Sequence, residues 1–133
     1  MARLPRAGVV ALAVVVAVLG NLVIYGVGRA AGGSFRFTSA QGPAEVEAVT
    51  VAGFSAVPLL VGLVAVALLA PLAGWISQVA AVVGAALAVV TIAVMTLPTD
   101  LDATSKTTLA LCHLTLVAII VVAVPALDPR QRA

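Results

Sequence analysis

One uncharged stretch in the middle of the chain decides the fold. Residues 48–99 read AVTVAGFSAVPLLVGLVAVALLAPLAGWISQVAAVVGAALAVVTIAVMTLPT, which is 52 residues without an aspartate, glutamate, lysine or arginine. A helix needs about 20 residues to cross the hydrocarbon core of a bilayer, so this stretch is long enough for two helices. Pro71 and Gly74 lie between its halves, and these residue types break a helix and permit a tight reversal. The stretch therefore predicts two membrane-spanning helices joined by a short turn.

The flanking sequence supplies two more uncharged runs, residues 7–28 and 107–127, and each is long enough for one helix. The runs are continuously apolar, whereas the strands of a membrane barrel alternate, and an open sheet edge cannot be left unpaired in lipid. We therefore predict an all-α, integral membrane four-helix bundle of up-down-up-down topology, forming a single domain over residues 1–133. The predicted spans are about 7–28, 47–69, 74–97 and 107–127.

The composition excludes most other classes of protein. The chain is 63% hydrophobic and 9% charged, against about 45–50% and about 25% in an average soluble domain. Seven basic and five acidic residues cannot coat a soluble domain of 133 residues. A net charge of +2 is too small for a nucleic-acid surface, so we expect no nucleic-acid partner. The single cysteine, Cys112, excludes an internal disulfide and a multi-cysteine metal site.

The N-terminus allows one alternative, because Arg3 and Arg6 followed by an apolar run also resemble a secretory signal peptide. The apolar region of a signal peptide is about 7–15 residues long, and the run here is longer, so we predict a retained first helix.

The distribution of lysine and arginine predicts the orientation, since these residues favour the cytoplasmic side. Four of them flank the termini, and three lie in the loops at the opposite end. The compact basic pair beside the first helix favours a multi-pass protein of the cell membrane with both termini in the cytoplasm. The four are Arg3, Arg6, Arg130 and Arg132, and the three are Arg29, Arg36 and Lys106.

A few polar side chains fall inside the spans and form the candidate site. Counting about 1.5 Å per helical residue places His113, Asn21, Tyr25, Ser55 and Thr91 in one layer of the outer half of the membrane. One hypothesis is a small polar cavity that binds a ligand or a proton. The other is a set of interhelical hydrogen bonds, worth roughly 0.5–2 kcal/mol each, that fix the packing. We expect His113 to bond a side chain of the first helix, either Asn21 or Tyr25.

The two loops on the predicted outer side carry weaker signals. Residues 29–46 are interpreted as a binding loop or, preferably, as a connector with Phe35 and Phe37 at the lipid interface. In residues 98–106, Asp100 or Asp102 is placed to cap the start of the fourth span. Two carboxylates without further ligands do not predict a metal site.

Small residues form two rows along the third span. In lipid, helices associate where small residues let their backbones approach closely. The rows fit either a dimerisation face or packing within the bundle, and we favour packing. One row is Ala73, Ser77, Ala81 and Ala85, and the other is Ala80, Gly84 and Ala88.

Two segments carry a family resemblance. They are residues 48–62, AVTVAGFSAVPLLVG, and residues 102–114, DATSKTTLALCHL, with a closing VPAL at 124–127. On these the chain resembles a family of uncharacterised actinobacterial four-helix integral membrane proteins, a domain of unknown function sometimes labelled cell envelope biogenesis. The resemblance implies the fold, a membrane location and a histidine in the last helix at His113, but no activity. Relatives often carry basic residues in the turn between the second and third helices, whereas residues 70–74 have none.

We expect no enzymatic activity and no cofactor. The sequence contains no nucleophile elbow, phosphate loop or HExxH motif, and the adjacent Cys112 and His113 point about 100° apart on a helix. The leading hypothesis is a structural or accessory role in the cell envelope, with membrane lipids, a second copy or a larger membrane protein as partners. The alternative is a small-molecule binding or transport subunit that uses the polar layer around His113. A cavity reaching His113 and Asn21 would favour binding, and a closed, mutually bonded layer would favour packing.

The predicted orientation is tested by cysteine labelling of a Cys112-free variant in intact cells. We expect single cysteines in residues 29–46 and 98–106 to react with a membrane-impermeant thiol reagent, because both loops lie outside. Cysteines at residues 2–6 and 128–133 stay protected. Labelling at the terminal positions instead would reverse the orientation.

Overall fold

A computed structural model describes residues 3–132 and contains four long helices. All four are long and apolar enough to cross a membrane, which confirms the predicted four-helix fold. A π-helical turn, Ile92–Thr96, extends the third helix, and a short helix α5, Pro129–Arg132, follows the fourth. The long helices are α1 Arg6–Ala30, α2 Ala48–Leu69, α3 Trp75–Thr91 and α4 Ala103–Leu127.

The fourth helix begins four residues before the predicted span, at Ala103. Asp102 is its N-cap, because the carboxylate accepts a hydrogen bond of 2.8 Å from the backbone N–H of Ser105. The predicted cap is thereby confirmed for Asp102. An acceptor at this position satisfies an N–H group that has no partner within the helix, which allows the polar residues 103–106 to join it.

The segment between α1 and α2 contains a β-hairpin. Its antiparallel strands are β1, Arg36–Ser39, and β2, Gly42–Glu45, with Arg36 opposite Glu45. Gly42 follows the two-residue turn with φ of +108°, a conformation that strongly favours glycine. We call the end of the bundle that carries this hairpin the hairpin end, and the opposite end the terminal end.

The helices form a bundle with one open side. Helix α1 packs between α2 and α4, and α3 packs against α4, but α2 and α3 barely touch. The main apolar core lies between α1, α2 and α4 and includes Ala17, Leu63 and Leu127. The open side between α2 and α3 is the structural basis of the candidate site.

Helices α1 and α4 approach closely at Gly28. A Cβ atom added to Gly28 would lie 2.6 Å from Cγ2 and 2.9 Å from Cβ of Thr108. The Thr108 hydroxyl donates to the carbonyl of Thr104 at 2.7 Å, so its side chain is held in place. The contact therefore requires a glycine.

Polar contacts close the terminal end. The Ser77 hydroxyl donates to Oδ2 of Asp128 at 2.6 Å, and the Arg130 backbone N–H donates to Oδ1. These bonds lower the pKa of the Asp128 carboxyl, chiefly through Ser77. The Arg130 guanidinium also donates to the carbonyl of Ala70, in the turn between α2 and α3. Residues 70–74 of this turn contain no basic residue, and Arg130 of the C-terminal segment places a positive charge there.

The third span packs within the bundle along part of its small-residue rows. Ser77 and Ala88 are buried, and a Cβ atom on Gly84 would lie 3.2 Å from Cγ2 of Ile120 in α4. These positions favour packing inside the bundle over a dimerisation face.

Substitution of Gly28 tests the close approach. We expect Gly28→Ala to lower the free energy of unfolding by about 1–3 kcal/mol, because the new methyl group overpacks the contact with Thr108. The matched control is Gly26→Ala in the same helix, where an added Cβ meets no atom within 4 Å. That change is neutral or gains up to about 1 kcal/mol in helix propensity. Thermal unfolding of both variants in one detergent measures the difference, and equal melting temperatures would contradict the contact.

Candidate functional site

The open side of the bundle forms a groove of about 700 Å³. Its side walls are α2 and α3, and α4 forms the back with Asn21 of α1. Phe37 of the hairpin and Leu101 of the α3–α4 loop border it at the hairpin end. Most lining residues are apolar, and among the described residues none that lines it is Asp, Glu, Lys or Arg.

Four of the five predicted site residues line this groove. They are Asn21, Ser55, Thr91 and His113, each from a different helix. Depth counting therefore placed these four in one region, although it did not reveal an open groove between them.

Tyr25 has a different position from the one depth counting predicts. Its hydroxyl donates to the carbonyl of Val46 at 2.8 Å and accepts from Nε of Arg29 at 2.9 Å. Its ring packs against Phe35, with ring centroids 4.6 Å apart. Tyr25 thus anchors the hairpin segment and does not line the groove in the described part of the chain, because its long side chain reaches toward the hairpin end.

Asn21 makes a side-chain hydrogen bond between two helices. Its Nδ2 donates to Oγ of Ser55 at 2.8 Å, which joins α1 to α2. The residue is 1% exposed, and its Oδ1 has no hydrogen-bond partner within residues 3–132. A buried acceptor without a donor is costly, so this oxygen is the exceptional polar atom of the site.

His113 does not form the interhelical bond that we expected with Asn21 or Tyr25, and that prediction is wrong. Its Nδ1 lies 2.7 Å from the carbonyl oxygen of Leu109, one turn earlier in α4. A carbonyl oxygen only accepts, so Nδ1 carries a proton and donates this hydrogen bond. Thr91 is likewise bonded within its own helix, to the carbonyl of Ala88 at 2.9 Å.

Two carboxylates dock the hairpin onto the α3–α4 loop. Asp100 accepts from the backbone N–H and the hydroxyl of Thr38, both at 2.7 Å. Asp102 accepts from the backbone N–H of Ser34 at 2.9 Å and from its hydroxyl at 2.7 Å. The hairpin is therefore fixed at the end of the groove that faces it.

Phe35 is fully buried beneath the hairpin, which corrects its expected place at the lipid interface. Its φ of +56° is unusual for a residue with a side chain and turns the ring toward Tyr25. The Phe35 backbone N–H donates to Oγ of Ser105 at 2.9 Å. Phe37 is half-buried and contributes to the groove lining.

The same hydrogen bonds keep the docking carboxylates ionised. The backbone N–H groups of Ser105 and Ser34 hold the pKa of Asp102 far below its usual value. The hydroxyl of Thr38 lowers the pKa of Asp100. Beside them, Arg29 pairs with Glu45 and lowers the pKa of that carboxyl. The hairpin end is therefore held by anions that stay charged at neutral and mildly acidic pH.

Sequence reasoning missed the apolar lining of the groove and the partners of Asp100 and Asp102. Neither has a local signal, since Ser34 and Asp102 are 68 residues apart. Within the described residues, no three His, Cys, Asp or Glu side chains lie together as a metal site. Cys112 also lines the groove, with its Sγ 3.8 Å from the backbone oxygen of Asn21.

The docked hairpin predicts a particular pH dependence. A carboxyl with a lowered pKa in the folded state stabilises it above the usual pKa of about 3.9, and loses this effect as pH falls further. We expect the amides of residues 34–39 to resist hydrogen exchange at every pH from 8 to about 4.5, well above the lowered pKa values. Asp102→Ala speeds their exchange throughout this range, because Ser34 and Ser105 lose their acceptor.

The matched control for that exchange experiment is Glu47→Ala. Glu47 is the N-cap of α2, and its carboxylate makes no capping hydrogen bond. Hydrogen exchange read by mass spectrometry should leave residues 34–39 protected in this variant. Equal exchange in both variants would show that the carboxylate of Asp102 does not hold the hairpin.

Comparison with known proteins identifies the family and no individual counterpart. No curated protein and no solved structure matches the chain. A family of unknown function matches nearly the whole chain, from residue 2 to residue 130. That range includes all four long helices, the hairpin and every residue of the groove. The protein is a membrane protein that belongs to DUF6069, a family of unknown function.

Proposed function

We propose that the protein is a membrane-embedded binding subunit that holds an apolar small molecule in the groove between α2 and α3. The observation that carries this proposal is the separation of α2 from α3, which leaves Asn21 and His113 on an open groove. Of the two hypotheses for the polar layer, a groove of this kind supports binding. Mutual bonding, which would support a purely structural role, is limited to Asn21 and Ser55.

The size and lining of the groove support a lipid-like ligand. Small-molecule sites measure about 300–1,000 Å³ and are mostly apolar with a few polar groups. The groove, at about 700 Å³, has this character. The hairpin and the α3–α4 loop border one end, and the few contacts between α2 and α3 leave the groove open along its side. That side faces the bilayer, and the ligand enters from lipid.

The proposed role is binding without catalysis. Cys112 and His113 are successive residues, and Nδ1 of His113 is already bonded to a backbone carbonyl. This arrangement does not pair a nucleophile with a base. With both termini in the cytoplasm of a cell-membrane protein, Asn21 and His113 lie in the outer half of the bilayer.

A structural or accessory role in the cell envelope is the competing proposal. Its support is the exposure of α3, in which Ser77 and Ala88 are the buried residues. In that case a helix of a second copy, or of a larger membrane protein, occupies the groove. The experiment below separates this outcome from lipid binding.

Filling the groove tests the proposal. An added Cβ meets no atom within 4 Å at either Gly62 or Gly53 of α2, but only Gly62 lines the groove. We expect Gly62→Leu to weaken ligand retention by at least about fivefold, since overpacking costs about 1–3 kcal/mol. Gly53→Leu is the matched control and retains ligand as the unchanged protein does.

The measurement is native mass spectrometry of protein purified from membranes in mild detergent, with lipid analysis of the extract. A small molecule bound to the unchanged protein and to Gly53→Leu, and depleted in Gly62→Leu, supports the proposal. Equal retention in the two variants would contradict it. A dimer or a protein complex lost in Gly62→Leu would favour the accessory role.

A further inference from the structure

We infer that the terminal end of the bundle binds the phosphate head group of an anionic phospholipid through a cluster of arginines. These four residues do not line the groove between α2 and α3, so the inference does not depend on a ligand in that groove. We call them the terminal arginine cluster, and they are Arg3, Arg6, Arg130 and Arg132.

The fold brings the four arginines together from the segments before α1 and after α4. The Arg132 guanidinium donates to the carbonyl of Leu4, which lies between Arg3 and Arg6 in the sequence. Arg132 also shares the short helix α5 with Arg130. Two pairs of basic residues that are far apart in the sequence therefore form one positively charged surface.

A buried carboxylate, Asp128, lies among these cations. It is 3% exposed and accepts from the Ser77 hydroxyl at 2.6 Å and from the Arg130 backbone N–H at 2.9 Å. Ser77 is the chief cause of its lowered pKa. The charges of Arg130 and Arg6 lower the pKa further, which places both guanidinium groups near this carboxylate. Ionised Asp128 compensates one positive charge of the four, so the described part of the terminal end keeps a positive excess.

The arginines keep most of their hydrogen-bond donors for a ligand. A guanidinium presents five N–H donors in a planar fork that matches the oxygens of a phosphate. Arg130 uses one nitrogen, Nη1, for its side-chain contacts, and its side chain stays about half exposed. Arg132 likewise uses one nitrogen, Nη2, on a backbone carbonyl. The guanidinium groups of Arg3 and Arg6 make no hydrogen bond within residues 3–132.

The cluster lies at the depth of the lipid head groups. Arg6 is the first residue of α1, and Arg130 follows the end of α4 by three residues. Arg130 packs against Gly74, where an added Cβ would lie 3.5 Å from its Cδ and Nε atoms. Trp75 follows Gly74 as an exposed residue, and tryptophan is enriched where the membrane meets water. A lipid phosphate at this depth reaches the arginines while its acyl chains stay in the bilayer.

The hairpin end has the opposite charge. Its four carboxylates outnumber its three basic residues. Arg29 is paired with Glu45, and Lys106 donates to a backbone carbonyl at 3.0 Å. An anionic head group is therefore attracted to the terminal end and not to the hairpin end. The carboxylates are those of Glu45, Glu47, Asp100 and Asp102, and the basic residues are Arg29, Arg36 and Lys106.

The test is native mass spectrometry of the full chain in mild detergent, with dioleoylphosphatidylglycerol and dioleoylphosphatidylcholine as probes. These lipids have the same acyl chains, but the choline group adds a positive charge that the cluster repels. We expect phosphatidylglycerol to bind at least about tenfold more tightly at low salt. The preference should fall below about threefold at high salt, because salt screens charges on an exposed surface. Equimolar glycerol 3-phosphate, which lacks acyl chains, should not displace the lipid.

Single substitutions connect the preference to the cluster. Arg6→Gln removes a charge without breaking a hydrogen bond within residues 3–132, and we expect it to weaken phosphatidylglycerol binding about fivefold. Arg6→Lys keeps the charge and should keep most of the affinity. The matched control is Arg36→Gln in β1, which removes the same charge at the hairpin end and should keep the preference. If Arg6→Gln does not fold, Arg3→Gln removes a charge at an exposed position and should also lose about fivefold.

The outcomes separate this surface from the groove. Gly62→Leu fills the groove and should leave the preference for phosphatidylglycerol unchanged, whereas loss of the preference in this variant would place the anionic lipid in the groove and overturn the inference. Equal binding of the two lipids by the unchanged protein would overturn it as well. So would equal losses in Arg6→Gln and Arg36→Gln, which indicate a general effect of net charge. Displacement by glycerol 3-phosphate would assign the arginines to a soluble phosphate instead.

Discussion

Helices in a bilayer gain little from burying apolar surface against one another, because lipid tails are equally apolar. Their association depends on close backbone approach and interhelical hydrogen bonds. Each well-packed pair in this protein has such a contact. Gly28 meets Thr108 between α1 and α4, Asn21 bonds Ser55 between α1 and α2, and Ser77 bonds Asp128 next to the end of α4. Helices α2 and α3 share no side-chain hydrogen bond within residues 3–132, and the bundle is open between them.

The two ends of the bundle are closed by different means. At the hairpin end, Asp100 and Asp102 bring the hairpin and the α3–α4 loop together. At the terminal end, Asp128 bonds Ser77, and Arg130 reaches the turn at Ala70. Carboxylates with lowered pKa values appear at both ends, where polar groups are near the membrane surface. The elements that border the groove are held by these hydrogen bonds at both ends, a favourable condition for a preformed site.

The polar residues inside the membrane differ in how many of their side-chain polar atoms have a hydrogen-bond partner. Thr91 is bonded within its own helix, and Tyr25 has a donor and an acceptor. Asn21 and His113 each use one of two polar atoms within the described residues. A polar atom without a hydrogen-bond partner at this depth lowers the stability of the isolated bundle. It is the reason to place these two residues, rather than the whole predicted layer, at the centre of the proposed binding site.

The sequence by itself determined the four helices, because uncharged runs of about 20 residues and the cap at Asp102 are local signals. It also brought Asn21, Ser55, Thr91 and His113 to one region, since depth follows from counting along each helix. Only the tertiary structure decided that Phe35 is buried, that Tyr25 anchors the hairpin and that His113 bonds its own backbone. These outcomes depend on side-chain direction and on contacts between residues distant in sequence. The groove also depends on contacts between residues distant in sequence. It lies between α2 and α3, the neighbouring helices that lack a close backbone approach or a side-chain hydrogen bond within residues 3–132.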